Sequence, residues 1–471
     1  MSASARLIGI VALASEAYDC ALAEDLVAAA IARLRDAGHT VAGETTLCLD
    51  ADAARRAAAT WRESPVDLVL VLQATFTDAA MLTALAEESE APLLVWAFPE
   101  AKTGGPLRLN ALSGLILGMH GLGLVGRNAA WMHGAPDAAD PSEAIDASLR
   151  RRKATPPGTL RRGIADDTGE RIAARLSAAR IGLVGPRLDG HPTSAFDDED
   201  VLARFGAEVP RARLDTLFRN AGKIEPHRLE VIRSRIARDL DDSGSLHPAE
   251  LERACRVFAA VQDVVEAKAL DALAVRCRPE ALTDHGCAVC GPLAMSTEDG
   301  VPAVCGSDVW GALTTLMLSE AADAPAWAAD LVDLDETSDT GVVWCCGSAP
   351  LSMADPQRTP RAVPDPKSGR AFLHGFALRP GRVTLARLSQ ARGEPKLVLI
   401  SGEVLRASPG EPTESFAGTS GILRFDAGVA ALREAVLGHA LEHRFALAYG
   451  ELRPGLRAAA AALDLPVLDI A

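Results

Sequence analysis

The sequence predicts an α/β protein in which two Rossmann-like parallel-sheet α/β domains are followed by a C-terminal β-rich domain. The chain has 471 residues, too many for one hydrophobic core. Continuous apolar runs alternate with helical patterns through its first two thirds, as in parallel sheets covered on both faces. Shorter strand-like runs follow that region. We place the domains at residues 1–165, 171–340 and 341–471.

In the first domain, strand patterns alternate with helix patterns rich in Ala and Leu. The strands are predicted at residues 6–14, 68–72 and 92–97. The helices are predicted at residues 19–35 and 79–88. Ligands of parallel sheets bind beyond the carboxyl ends of the strands. We therefore expect residues 73–75 and 98–100 to lie near a binding cleft.

The second α/β region follows a linker rich in Pro, Asp and Arg within residues 136–167. It is predicted to contain strands at 180–185 and 270–275 and helices at 224–240 and 246–268. Four prolines between residues 355 and 370 mark another boundary or a long loop. Strands are then predicted at 382–386, 396–400, 421–425 and 445–449, with a helix at 452–463. These short runs predict a smaller, largely antiparallel domain.

Charge and hydropathy narrow the classes of partner. The formal charge of −15 disfavours nucleic acids and anionic membranes. No apolar run approaches the roughly 20 residues that span a bilayer. The short apolar run at residues 7–13 leads into a helix pattern, so we interpret it as a strand and not as a signal peptide. The nine cysteines are then expected to be reduced thiols in a cytoplasmic protein.

Two short motifs have a structural and a functional interpretation. The glycines of residues 121–126 lack a clear preceding strand and an acidic partner, so a turn or helix packing is favoured over dinucleotide binding. Cys287 and Cys290 form a C-x-x-C motif, which could be half of a zinc site or a redox pair. A second C-x-x-C is missing from the sequence. We therefore favour buried, reduced thiols that bind no metal.

Several stretches, taken in chain order, resemble one known family. They are residues 104–110, 271–278, 292–293, 300–305, 311–314, 347–351, 381–384 and 441–443. This ordered set is similar to the L-fucose/L-arabinose isomerase family and extends over nearly the whole chain. The resemblance implies two α/β domains, a C-terminal β-rich domain, and a homo-oligomer with active sites near subunit contacts.

The resemblance also implies a chemistry. Members of this family interconvert aldoses and ketoses with a divalent cation, usually manganese. Such a reaction needs an oxygen-rich metal site that holds O1 and O2 of the sugar and stabilises an enediolate. It also needs a carboxylate that moves a proton between C1 and C2. Two of the family's ligand positions match Asp330 and His443 of this chain.

The chain departs from the family pattern at three positions. Gly306 stands where the family has a glutamate ligand, Cys345 where a histidine is common, and Arg444 where a second histidine is common. Loss of an anionic oxygen should weaken a manganese site, so Gly306→Glu is expected to tighten manganese binding. A set of Asp330, Cys345 and His443 would instead suit zinc.

These considerations predict the residues of a site. The predicted proton-transfer carboxylates are Asp330 and, two residues after Gly306, Asp308. The predicted metal ligands are Asp330, His443 and Cys345. The predicted substrate contacts are Arg108, Asn110, Trp310 and Trp344. The metal is expected to be manganese, with zinc as the alternative, and no metal if the site is degenerate.

The leading hypothesis is a ketol isomerase that acts on a small sugar or deoxy-sugar through a divalent metal and an enediolate. One alternative is a non-catalytic or repurposed homologue that binds a carbohydrate. A second alternative is a zinc- or thiol-dependent enzyme on the same scaffold. The expected partner is a small-molecule carbohydrate. Fold alone does not determine function, so the sequence leaves the three hypotheses open.

Overall fold

The computed structural model describes residues 5–43, 45–138, 140–150, 156–366, 368–370, 372–406 and 416–471. Within these residues, three β-sheets are packed with helices. Two of the sheets are parallel and the third is mostly antiparallel.

The first sheet is parallel throughout and lies in the N-terminal region. Its elements are β1 (Leu7–Leu13), α1 (Cys20–Asp36), β2 (Thr40–Ala42), β3 (Leu47–Cys48), α2 (Ala51–Glu63), β4 (Leu68–Gln73), α3 (Ala79–Glu88), β5 (Leu93–Ala97), α4 (Ala111–Leu124), β6 (Ala130–His133) and α5 (Pro141–Leu149). The strand order is β2-β1-β4-β5-β6, and β3 also pairs with β1. Every residue of β4 is buried, as expected for a central strand covered on both faces.

The second sheet is also parallel. The elements of this region are β7 (Thr159–Arg161), α6 (Asp167–Ser177), β8 (Ile181–Val184), α7 (Asp198–Phe205), β9 (Arg211–Ala212), α8 (Leu214–Ala221), α9 (Pro226–Asp239), α10 (Pro248–Lys268), β10 (Ala272–Val275), α11 (Glu280–Thr283), α12 (Cys290–Glu298), β11 (Ala303–Cys305) and α13 (Val309–Ala322). The strand order is β11-β10-β8-β9. Strand β7 does not belong to this sheet.

The third sheet contains an antiparallel barrel. Its elements are β12 (Trp327–Asp335), β13 (Thr340–Cys345), β14 (Arg361–Val363), β15 (Leu373–Ala377), β16 (Gly381–Ser389), β17 (Lys396–Leu405), β18 (Thr419–Phe425), α14 (Val429–Gly438), β19 (Arg444–Tyr449), α15 (Arg453–Ala462) and β20 (Val467–Ile470). The strand order is β14-β15-β18-β13-β12-β19-β16-β17-β20-β7. Strand β17 also pairs with β18, which closes six antiparallel strands into a ring.

The predicted fold class is confirmed, because two parallel α/β regions precede a β-rich sheet. Sheet membership differs from the predicted domain limits at two strands. Strand β12 lies inside the predicted second domain but pairs with β13 and β19 of the third sheet. Strand β7 lies inside the predicted first domain but pairs with β20. The buried apolar run of β12 looks the same in sequence whether its neighbours are parallel or antiparallel.

The three sheets meet at a common point. The Ser113 hydroxyl at the start of α4 donates to the Leu331 carbonyl of β12 at 2.9 Å. The Arg444 guanidinium at the start of β19 donates to the Cys305 carbonyl at the end of β11 at 2.7 Å. The start of α4 and the end of β11 are thereby held against β12 and β19. No helix of the described residues has the length and apolar character needed to cross a bilayer.

Candidate active site

Asp330 and Arg444 form the centre of the site. The two residues lie directly opposite each other in the antiparallel pair β12–β19. Nε of Arg444 lies 2.6 Å from Oδ1 of Asp330, and Nη2 lies 3.1 Å from Oδ2. Both side chains are nearly buried, with 12% and 10% of the Arg444 and Asp330 side chains exposed. Burial raises the pKa of Asp330, and the Arg444 guanidinium opposes this shift.

His443 precedes Arg444 and faces the same carboxylate. Its Nε2 atom lies 3.7 Å from Oδ1 of Asp330. Its backbone carbonyl accepts the N–H of Leu331 at 3.0 Å, which fixes the residue beside β12. Burial and the neighbouring Arg444 guanidinium hold the pKa of His443 well below its usual range. The imidazole is therefore neutral near pH 7.

The turn between β11 and α13 borders the guanidinium. Gly306 and Ser307 both have left-handed backbone conformations, with φ of 81° and 57°. The Ser307 hydroxyl donates to the Pro186 carbonyl at 2.8 Å, which anchors the turn to the end of β8. A Cβ atom at position 306 would meet Nη1 of Arg444 at 3.4 Å and no other described atom within 4 Å. Space therefore remains in front of Gly306, with the guanidinium at its edge.

Aromatic and imidazole rings that follow strands of the two parallel sheets form a wall of the site beside His443. Phe76 follows β4, and its ring centroid lies 6.0 Å from that of His443. The rings of Tyr18, after β1, and His191, after β8, lie 6.2 and 5.9 Å from Phe76. Burial raises the pKa of Tyr18 to about 12, so its hydroxyl stays protonated at neutral pH. Burial also lowers the pKa of His191, which favours a neutral ring.

Five thiols lie behind the Gly306 turn. The central thiol is that of Cys305, whose pKa is held well below its usual range by hydrogen bonds from Cys277, Cys345 and Cys346. The Sγ atoms of Cys290 and Cys346 are 3.2 Å apart. Cys290 therefore contacts Cys346, and the thiol of its C-x-x-C partner Cys287 instead lies 3.6 Å from the Ala288 carbonyl.

The donor set does not fit the divalent cation that the resemblance implied. Arg444 engages both oxygens of Asp330, and Gly306 contributes no carboxylate. The Cys345 thiol lies 3.3 Å from the Ser348 hydroxyl, and its hydrogen bond with Cys305 raises its pKa well above the usual range. Across the described part of the chain, no group of three His, Cys, Asp or Glu side chains is arranged to hold a metal ion.

Asp308 has a structural environment. Its carboxylate makes two contacts with the Arg387 guanidinium, at 2.6 and 3.0 Å, and both side chains are only 1% exposed. Oδ1 also accepts the backbone N–H of Gly311 at 2.7 Å, which caps α13. Both oxygens are thus committed to holding the helix and the barrel together. This placement favours a structural role over the predicted proton transfer.

The two predicted tryptophan contacts lie in packed regions. Trp310 is buried in α13, where its ring packs edge-on against Phe205 at 5.1 Å. The indole N–H of Trp344 donates to the Ala417 carbonyl at 2.8 Å, and the ring packs against Leu107 and other apolar residues. Trp344 is the direct cross-strand partner of Asp330 in the β12–β13 pair, so it borders the site, while its indole is held by these packing contacts.

The loop that carries Arg108 and Asn110 supports the wall of the site. The buried Glu100 carboxylate accepts backbone N–H groups of Arg108 and Asn110 at 2.7 and 2.6 Å. The Arg108 side chain pairs with Asp19, which caps α1. The Asn110 amide donates to the Tyr18 hydroxyl at 3.4 Å. Asn110 therefore borders the cleft through Tyr18, and Arg108 fixes the backbone beside it.

Three residues of the wall, Tyr18, Phe76 and His191, are not among the residues predicted from the sequence. Each follows a strand of a parallel sheet at its carboxyl end, where ligands of such sheets bind. From this rule we expected residues 73–75 near the binding site, but the expectation did not include Phe76, which follows them. Arg444 was noted only as a departure from the family pattern.

Comparisons with known proteins give an independent view of the chain. A family model described as "Fucose/sulfoquinovose isomerase, N-terminal domain" matches residues 9–151. A sulfoquinovose isomerase of Priestia aryabhattai is 26% identical over 388 residues, which cover 82% of this chain and 82% of the relative. Sulfoquinovose isomerases of Alkalicoccus urumqiensis and Clostridium sp. (strain MSTE9) are each 25% identical, covering 86% and 84% of this chain and 87% and 85% of the relative. Among solved structures, a solute-binding protein from Burkholderia multivorans aligns with 11% identity over 69% of this chain and 95% of its own, and its TM-score of 0.20 is too low to bear on the fold.

Proposed function

Because the chain is a divergent member of the fucose/sulfoquinovose isomerase family, we propose that it interconverts an aldose and a ketose. The observation on which this proposal rests is that relatives named sulfoquinovose isomerase align over more than four fifths of the chain. The site geometry supports this proposal, because a buried carboxylate, a neutral imidazole and a guanidinium lie together where the three sheets meet.

The proposed reaction transfers protons within the sugar and needs no external oxidant. The C2–H bond of the aldose breaks, and a proton is delivered to C1. The hydroxyl at C2 loses its proton to become the ketose carbonyl, and the oxygen at C1 gains one. The intermediate is an enediolate, whose negative charge must be stabilised inside the cleft.

His443 is the group that we assign to the transfer between C2 and C1. It is neutral near pH 7, as a general base must be, and its Nε2 atom lies on the Asp330 side of the cleft. Asp330 holds the guanidinium of Arg444 in place. The hydroxyl of Tyr18, which stays protonated at neutral pH, lies in the same part of the site, where the Asn110 amide donates to it. No step of this scheme passes through a metal ion.

Sulfoquinovose, a hexose that carries a sulfonate, is the first substrate to test, since the relatives are named for it. The cytoplasmic location and the homo-oligomeric assembly expected from the sequence also stay proposals. One alternative function is a repurposed carbohydrate-binding protein. The observation that favours this alternative is the neutralisation of Asp330 by Arg444 beside a glycine that supplies no carboxylate.

The experiment is an isomerisation assay followed by NMR, with sulfoquinovose and a panel of aldoses and their ketoses. The wild type is expected to form a ketose from at least one of them. His443→Asn should lower kcat by about 100-fold or more, the usual worth of a general base. His439→Asn is the matched control, because His439 contacts the Pro157 carbonyl at the surface. Binding of a sugar without conversion would instead establish the repurposed protein.

A further inference from the structure

We propose that the guanidinium of Arg444 takes the position and the role of a divalent cation in this site, so that it contacts the oxygens at C1 and C2 of the sugar. The chemical part of this inference rests on the proposed isomerase function. The placement of the guanidinium does not, because it follows from the contacts of Arg444 alone.

Arg444 occupies the space that a cation bound by Asp330 would need. A metal ion bound by Asp330 must share the lone pairs of its two carboxylate oxygens, and Arg444 contacts one with Nε and the other with Nη2. The third nitrogen, Nη1, donates a hydrogen bond to the carbonyl of Cys305 and lies beside Gly306. The guanidinium thus spans from Asp330 to the Gly306 turn, and a cation there would also be repelled by its charge.

The Arg444 guanidinium keeps N–H groups that can donate to a ligand. A guanidinium has five N–H groups, and the contacts with Asp330 and Cys305 account for three of them among the described residues. Two N–H groups on Nη1 and Nη2 are left for other acceptors. A planar cation with two donors can hold two oxygens of one ligand, whereas a lysine offers a point charge.

The positive charge of Arg444 is fixed in the site by its contact with Asp330. Among the described residues the side chain that Arg444 contacts is the Asp330 carboxylate, and the guanidinium keeps its positive charge because arginine does not deprotonate in proteins. Fixed positive charge aimed at a developing oxyanion stabilises it without reorganisation during the reaction. A pre-positioned guanidinium therefore supplies the stabilisation that the enediolate requires.

One experimental arm measures metal binding and does not depend on activity. EDTA-dialysed wild type, Arg444→Gln and Arg444→Lys are titrated with Mn²⁺ by calorimetry after circular dichroism shows that each is folded. The wild type and Arg444→Lys should show no saturable binding below about 1 mM. Arg444→Gln, which leaves Asp330 and His443 without the cation, should bind at least about tenfold more tightly. Arg382→Gln removes a surface arginine that pairs with Asp426 and Glu451, and this control should behave as the wild type.

The second arm measures isomerisation by the EDTA-treated proteins. The wild type should keep its full rate, and added Mn²⁺ should not increase it. Arg444→Gln should lower kcat by about 100- to 1,000-fold, as expected for removal of a donor to an oxyanion. The kcat of Arg444→Lys should lie between those of the wild type and Arg444→Gln. Lysine keeps the positive charge but lacks the planar pair of N–H donors of the guanidinium.

The outcomes separate this inference from the proposed function. Micromolar Mn²⁺ binding by the wild type, or activity that EDTA removes and Mn²⁺ restores, would overturn the inference and leave the isomerase function standing. Equal Mn²⁺ affinity in wild type and folded Arg444→Gln would also overturn it. An inactive wild type with the expected metal titrations would reject the proposed function and support the exclusion of the metal by Arg444.

Discussion

Asp330 of β12 and Arg444 of β19 are direct cross-strand partners, joined by Nε–Oδ1 and Nη2–Oδ2 contacts of 2.6 and 3.1 Å. The pair places a positive charge against the carboxylate that the family resemblance led us to expect as a metal ligand. It also ties the barrel to the second sheet, since Nη1 of Arg444 donates to the Cys305 carbonyl.

The first prediction concerns the stability of this pair. Asp330→Asn should lower the free energy of unfolding by about 3–5 kcal/mol, because it leaves the guanidinium nearly buried and without a counter-charge. The double variant Asp330→Asn/Arg444→Gln should be less destabilised than the sum of the two single variants by about 1–3 kcal/mol. Urea denaturation of the wild type, Asp330→Asn, Arg444→Gln and the double variant gives the double-mutant cycle. Simple additivity would show that the two side chains do not interact energetically.

The second prediction separates Asp308 from the chemistry. Asp308→Asn should destabilise the protein by about 3–5 kcal/mol, since it breaks a fully buried pair with Arg387. The specific activity of the folded fraction should stay within about threefold of the wild type, because both oxygens are engaged by Arg387 and the Gly311 N–H. Thermal unfolding and steady-state kinetics measure the two effects. A fall in kcat of about 100-fold or more in folded protein would restore Asp308 as a proton-transfer group.

The third prediction revises the expectation for Gly306→Glu. The left-handed φ of 81° should cost a non-glycine residue about 1–2 kcal/mol. The new side chain would start 3.4 Å from Nη1 of Arg444, so its carboxylate should pair with that cation before it can bind a metal. Manganese affinity measured by calorimetry should therefore stay as weak as in the wild type. Gly306→Ala controls for the backbone strain, and tight manganese binding by Gly306→Glu alone would refute this account.

The fourth prediction concerns the pH dependence of stability. Burial lowers the pKa of His374 to about 4, from 6.5 in an unfolded chain. Above pH 6.5 both states are neutral, and between pH 6.5 and 4 only the unfolded state takes up the proton. The free energy of unfolding should therefore fall as the pH is lowered, by about 2 kcal/mol at pH 5 from this residue. In His374→Gln, the decrease in the free energy of unfolding between pH 7 and pH 5 should be smaller than in the wild type by about 2 kcal/mol. An unchanged loss would show that His374 is protonated in the folded protein.

The sequence predicted the fold class because continuous apolar strands and helical patterns carry a local signal. The signal does not include the identity of neighbouring strands. For this reason β12 was placed with the second domain, although its partners β13 and β19 belong to the barrel.

The site was partly predictable for a similar reason. The structure brings together Asp330 and His443, which the family resemblance identified. The side chain of Asp308 lies only two residues from Gly306, but it turns into the core as a helix cap. The pairing of Arg444 with Asp330 depends on strand register, which no local pattern specifies.

The most direct test of the account is the reaction of sulfoquinovose with EDTA-treated protein in D₂O, followed by NMR. Proton transfer by His443 through an enediolate should produce a ketose that carries solvent deuterium at C1, without any added metal. Deuterium should also appear at C2 of the recovered aldose. The account would be contradicted by a ketose that forms only after Mn²⁺ is added, or by one that retains all of its original hydrogen.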